Sequence, residues 1–319
     1  MIFQCSSSSS RVFVALSHSL YSDPMSTWMF FTLLAVVMQS VRTAGQKRMA
    51  QSLTAEATTL VRFLFGLPFA LIYFVLLRRT NSGQELVLSV DYWLPASLAA
   101  VSQIVATLCL VKALTLRNFV VGTALAKTEA IMTALLGSIF FAASLSVLGY
   151  VSVCVGVIGV LVASNWRISV PDLLNNASIK YGLGAGLGFA LASLWIRQAS
   201  LSLAVPELLS AATVLVYMVA LQTLICLALI FYRQPAQFTL IAASCRSALL
   251  IGFTSVAGSI GWFTAMSLQE AALVKTLGQT EFVVTLFITY LYFGEKITLR
   301  ESLGMGLIAI SVGLLVAVS

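Results

Sequence analysis

The chain has 319 residues, 60% of them hydrophobic and 9% charged, with a mean hydropathy of +1.00. Soluble domains carry about 25% charged residues, so this chain cannot cover a water-facing surface and reads as a membrane protein. Its net charge of +7 is spread singly between apolar runs, which excludes the clustered basic face that nucleic-acid binding needs.

Residues 1–24 open with the run from Cys5 through Ser10. The apolar stretch Val12 to Leu16 is shorter than the 7–15 residues of a signal-peptide core. Met25-Ser26-Thr27-Trp28 reads like a start, so residues 1–24 are expected to be disordered or an upstream extension. A spanning helix needs about 20 largely apolar residues. Ten such spans are expected, near 28–46, 57–77, 93–114, 119–141, 145–165, 181–203, 208–231, 247–268, 271–293 and 298–318. The loop 166–180 carries the turn residues Pro171-Asp172 and Asn175-Asn176 and leaves five spans on each side, dividing the chain into units 28–165 and 181–318. The fold class is therefore an all-α integral membrane protein.

The two halves resemble each other. Residues 113–145 align without gaps on 265–297, a spacing of 152 that brings Leu125 onto Leu277, Thr128-Glu129 onto Thr280-Glu281, and Thr133 onto Thr285. A long fixed period marks a duplicated unit. Glu56 and Glu207 recur at a spacing of 151, and Gly159 to Ala163 and Gly313 to Ala317 at 154. With an odd number of spans per half, the second must lie upside down relative to the first, the inverted repeat associated with alternating access.

Glu129 and Glu281 are each the eleventh residue of their expected span (129−119+1 and 281−271+1). An acid at the bilayer centre costs about 2.5–3.5 kcal/mol on insertion scales and is functional by default. Thr133 and Thr285, four residues on, share the face of each glutamate. A substrate or proton site is expected there, with a hydrogen bond between helices as the plainer alternative. Lys127 is about 200° round the helix from Glu129 and must find another partner, snorkel, or join a cavity. Arg62 and Lys112 are expected to snorkel. Gln103 offers a ligand contact or a helix–helix bond, and Trp262 a cavity wall or packing. The glycines at 182, 184, 186 and 188 favour close helix packing.

The five cysteines show no CxxC pair or metal-ligand spacing, and the single histidine, His18, precedes the first span. No metal or cofactor site is expected. Without a histidine, an HExxH or a GxGD pair of aspartates in the spans, neither is an intramembrane enzyme.

Span 9 ends in Phe293-Gly294-Glu295-Lys296, with Glu281 fourteen residues before Glu295 (295−281). With the five-plus-five spans, this pattern resembles the EamA family of the drug/metabolite transporter superfamily over about residues 28–318. Two features depart from it: the family often has proline after the mid-span glutamate, where Ala130 and Phe282 stand, and the corner of the first half is Ala142-Ala143. The resemblance implies an exporter of metabolites or drugs in the inner or plasma membrane, with both termini cytoplasmic. Basic loop residues point the other way, nine on the side of the first loop against five (Arg11, Arg78, Arg79, Arg197 and Lys275) opposite. The function expected is alternating-access transport of a small molecule, with Glu129 or Glu281 meeting a cationic group or carrying a coupling proton. A lipid-headgroup flippase and a structural or sensory membrane protein are the rivals. The partners are the solute and the lipid bilayer, and a homodimer is compatible with this reading.

Overall fold

The computed structural model describes residues 24–116, 119–164, 177–284 and 298–317. The first half contains α1 (Pro24–Met49), α2 (Ala55–Leu64), α3 (Leu67–Thr80), α4 (Val90–Thr115), α5 (Phe119–Ala126), α6 (Glu129–Phe140) and α7 (Val147–Ala163). The second contains α8 (Ala177–Leu201), α9 (Glu207–Arg233), α10 (Gln237–Ala243), α11 (Cys245–Leu268), α12 (Ala271–Leu277) and α13 (Leu299–Val316). The expected N-terminal extension, the loop 166–176 and the Gly294-Glu295-Lys296 corner lie outside the described residues.

Polarity is distributed for a lipid solvent. Ile72, Leu224 and Phe231 are more than half exposed, whereas Arg42, Arg62, Gln222, Lys275 and both repeated glutamates are buried. Apolar side chains face outward because lipid rewards them, and polar groups turn inward because lipid cannot satisfy them. The protein is an integral membrane protein.

Among the described residues, eight helical stretches are long and apolar enough to cross a membrane, counting Ala55–Thr80 and Gly122–Phe140 as one each. The fifth expected span is the shorter α7, of 17 residues, and the ninth is described only as far as residue 284. Two expectations need correction. Span 2 is interrupted at Phe65-Gly66, where α2 ends and α3 begins. The segment after α9, expected as a plain connection, holds the short helix α10.

The helices pack across the halves. α1 lies on α11 and α4 on α8, while α2 and α3 meet α9, α6 meets α12, and α7 meets α13. In span numbers these pairs are 1–8, 3–6, 2–7, 4–9 and 5–10. Exchanging each span for its counterpart turns 1–8 into 6–3 and leaves the other three unchanged, so the packing has a two-fold pattern. Small residues make the contacts possible. A Cβ at Gly261 would lie 2.4 Å from the Phe31 carbonyl oxygen, and one at Gly188 would lie 2.9 Å from Ala106 Cβ. Close approach at small residues is how membrane helices gain contact without a hydrophobic effect. Where α7 meets α13 the symmetry reaches single atoms. Ser152 Oγ donates to the Ser311 carbonyl at 2.8 Å, and Ser311 Oγ donates to the Ser152 carbonyl at 2.7 Å.

Candidate functional site at the meeting of the halves

Both repeated glutamates follow a break in their helix. α5 ends at Ala126, Lys127 and Thr128 form a turn, and α6 starts at Glu129. α12 ends at Leu277, Gly278 and Gln279 form a turn, and the helix resumes over 280–284. This corrects the uninterrupted spans expected around both acids. The same local bond accompanies both breaks. Thr128 Oγ1 donates to the Leu125 carbonyl at 2.7 Å, and Thr280 Oγ1 to the Leu277 carbonyl at 2.8 Å. Such back-bonding competes with the regular ladder and bends helices. The backbone tightens accordingly, with Thr128 N bonded to the Leu125 carbonyl at 3.1 Å and Gln279 N to the Thr276 carbonyl at 3.1 Å. Gly278 also permits a close approach, since a Cβ there would lie 2.4 Å from Trp262 Cη2 and 3.2 Å from the Lys275 carbonyl oxygen.

The breaks bring the acids to lysines of the opposite half. Lys127 donates to Glu281 Oε2, and Lys275 Nζ lies 3.4 Å from Glu129 Oε2. The two ion pairs thus cross the interface in opposite senses. Neither lysine is repeated: Lys127 matches Gln279 (127+152), and Lys275 matches Thr123 (275−152). The glutamates recur in the duplicated framework, whereas their lysine partners do not.

Around the pairs is a polar shell. Gln39 Nε2 donates to Glu281 Oε2 at 2.7 Å, and Trp262 Nε1 donates to Gln39 Oε1 at 2.9 Å. The face of Trp262 also receives Lys275, whose Nζ is 4.4 Å from the ring centroid, a cation–π contact. Thr133 Oγ1 donates to the Glu129 carbonyl at 2.6 Å. Gln103 Oε1 accepts from Gln222 Nε2 at 2.9 Å, the helix–helix bond between α4 and α9. Thr285 lies outside the described residues.

A small cavity opens beside these groups, lined among others by Gln39, Arg42, Arg62, Gln103, Trp262 and Lys275. It offers a water-sized sphere about 20 Å³, close to the space of a single water. Arg62 does not snorkel: it is buried, and its Nη1 donates to Thr107 Oγ1 at 2.7 Å. Lys112 behaves more nearly as expected, half exposed and 3.6 Å from Glu56. Lys275, assigned to a loop in the charge count, is buried in the membrane. Arg197, counted beside it, is bound to Glu270 at 2.9 Å and to the carbonyls of Met266 and Gln269 at 2.9 and 2.7 Å. It ties the end of α11 to the start of α12, so neither residue informs on orientation.

Gln39, Arg42 and Lys275 were missed as site residues. Gln39, Arg42 and Gln46 stand at i, i+3 and i+7 of an apolar span, which places them on one helix face. That stripe was the available signal.

The comparisons with known proteins agree with this architecture. A model described as the EamA-like transporter family matches residues 26–165 and again residues 177–317. A solved structure titled "Crystal structure of protein" superposes with a TM-score of 0.68 over 91% of this chain and 96% of its own, at 13% identity, a likeness of fold alone. Among curated proteins none matches the chain.

Proposed function

We propose that this chain, which belongs to the EamA-like transporter family, exports a small metabolite or drug-like solute across the cell membrane by alternating access. The observation that carries this reading is the pair of crossed ion bridges, Lys127–Glu281 and Lys275–Glu129, placed where both halves break their helices. Broken helices at the interface of repeats are where transporter folds build their central sites. The two-fold packing supports ten spans in an inverted five-plus-five arrangement.

In this mechanism the halves rock about their contact, and the crossed pairs open and close as they do so. A proton reaching Glu281 or Glu129 neutralises one bridge and frees its lysine, which couples the charge of the site to the position of the halves. Gln39 and Trp262 hold Glu281 and Lys275 in register, Thr133 steadies the turn of Glu129, and Gln103 fixes the wall behind the cavity. Thr285 is the sequence counterpart of Thr133 (285−152).

The test combines binding with flux. The purified protein is screened for ligand-induced thermal stabilisation with amino acids, polyamines, nucleosides and cationic drugs, and each hit is followed into proteoliposomes. Saturable flux that falls at least ten-fold in Glu129→Gln and Glu281→Gln, with a changed pH dependence, is the expected result. Flux unaffected by both substitutions would reject the mechanism, and no flux for any hit would reject transport.

A further inference from the structure

We infer that the cavity, water-sized as it stands and widened when the halves part, takes the oxyanion of an anionic solute, a carboxylate or phosphate group, between Arg42 and Arg62. The inference rests on the transporter reading above and names its substrate class. It also departs from the expectation that the glutamates meet a cationic group, because both carboxylates are already engaged by lysines.

The argument is one of charge. Arg42 and Arg62 are 2% and 4% exposed and line the same cavity. The four ion pairs among the described residues include neither arginine. Among the described residues, the buried Arg42, Arg62 and Lys275 and the partly buried Lys127 stand against Glu129 and Glu281, four cations to two anions. The other described acids, Glu56, Glu85, Asp91, Glu207, Glu270 and Glu301, all sit in loops or at helix starts.

An unbalanced pair of like charges in the membrane interior is costly unless something compensates it. A guanidinium offers five N–H donors. Arg62 spends one on Thr107, and among the described residues Arg42 Nε has no acceptor. One turn on, Gln46 is fully buried with neither amide atom bonded. Donors in a planar fork suit carboxylate and phosphate oxygens, which they meet bidentately. The arginines therefore supply the charge and the geometry that a bound oxyanion needs, while the crossed lysine–glutamate bridges keep the remaining charges balanced.

The same chemistry can arrive on a soluble metabolite or on a lipid headgroup, and the experiment separates them. The purified full chain is titrated with inorganic phosphate, succinate and short-chain phosphatidylglycerol, with putrescine and choline as cationic controls, reading melting temperature and Kd. The expected result is stabilisation by an anion, a Kd weakened about 10- to 100-fold in Arg42→Gln and in Arg62→Gln, and partial recovery in the lysine variants. Binding of phosphate or succinate marks a soluble solute, and binding of phosphatidylglycerol alone marks a headgroup. The wild-type panel decides even if a variant fails to fold: stabilisation by putrescine or choline and by none of the anions overturns the inference, as does the absence of any stabilising anion. An anion bound equally well by both glutamine variants overturns it too. Saturable flux of a cationic or neutral solute in proteoliposomes would refute the anion site and leave transport standing, whereas a bound anion without flux of any solute would refute transport instead.

Discussion

Glu129 and Glu281 are each held by a lysine that lies far away in sequence, and the consequence is measurable in pairs. Removing one partner of a buried bridge leaves the other charge uncompensated and costs about 3–5 kcal/mol, whereas removing both can be nearly neutral. Glu281→Gln should therefore lower stability by about 3 kcal/mol, and adding Lys127→Gln should restore more than half of the loss. The same holds for Glu129→Gln with Lys275→Gln. Lys112→Ala makes the control, since its bridge to Glu56 is 3.6 Å long with the lysine side chain 43% exposed, and exposed bridges contribute about 0–1 kcal/mol. Denaturant titration in detergent measures all of these; additive losses in the double variants would reject the crossed pairing. The glutamates were legible in the sequence because duplication printed them twice. Their partners were not, because Lys127 and Lys275 have no repeat and the pairing joins residues 154 and 146 apart. Arg42 went unread for a related reason: a single charge in an apolar run looks alike whether it snorkels or faces inward.

The helices themselves were legible as apolar stretches of spanning length, but their interruptions were not. Nothing in the run Leu125-Ala126-Lys127-Thr128 announces a break, since threonine back-bonding depends on a rotamer rather than on composition. The corner after α6 shows the opposite case, where the repeat carries more than either half alone. Gly294 has Ala142 as its counterpart (294−152), and Ala142 adopts φ 51. That left-handed conformation costs an L-residue with a Cβ about 1–2 kcal/mol, while glycine enters it freely and costs the unfolded chain about 0.5–1 kcal/mol more in entropy. Ala142→Gly should therefore stabilise the protein by about 0.5–1 kcal/mol, a rise of a few degrees in melting temperature. A lowered melting temperature would show that the corner is not held in this conformation.

The arrangement of the whole chain turns on whether α7 crosses the membrane. Its 17 residues span about 26 Å at 1.5 Å per residue, within reach of a hydrocarbon core of about 30 Å when the ends are anchored or the bilayer thins. Between the loop at Ser82 and the loop at Gln234 lie α4, the α5–α6 span, α7, α8 and α9. If α7 crosses, the chain passes the membrane five times between these loops, and they face opposite sides. If it does not, the number is four and they share a side. The packing argues for crossing: α7 and α13 meet through the reciprocal Ser152–Ser311 bonds, and an interfacial helix could not match the spanning α13 along its length. In a variant with its native cysteines replaced by serine, Ser82→Cys and Gln234→Cys should each react with a membrane-impermeant maleimide from only one face, and from opposite faces. Labelling from the same face would make the halves parallel rather than inverted, and alternating access by exchange of equivalent halves would lose its geometric basis.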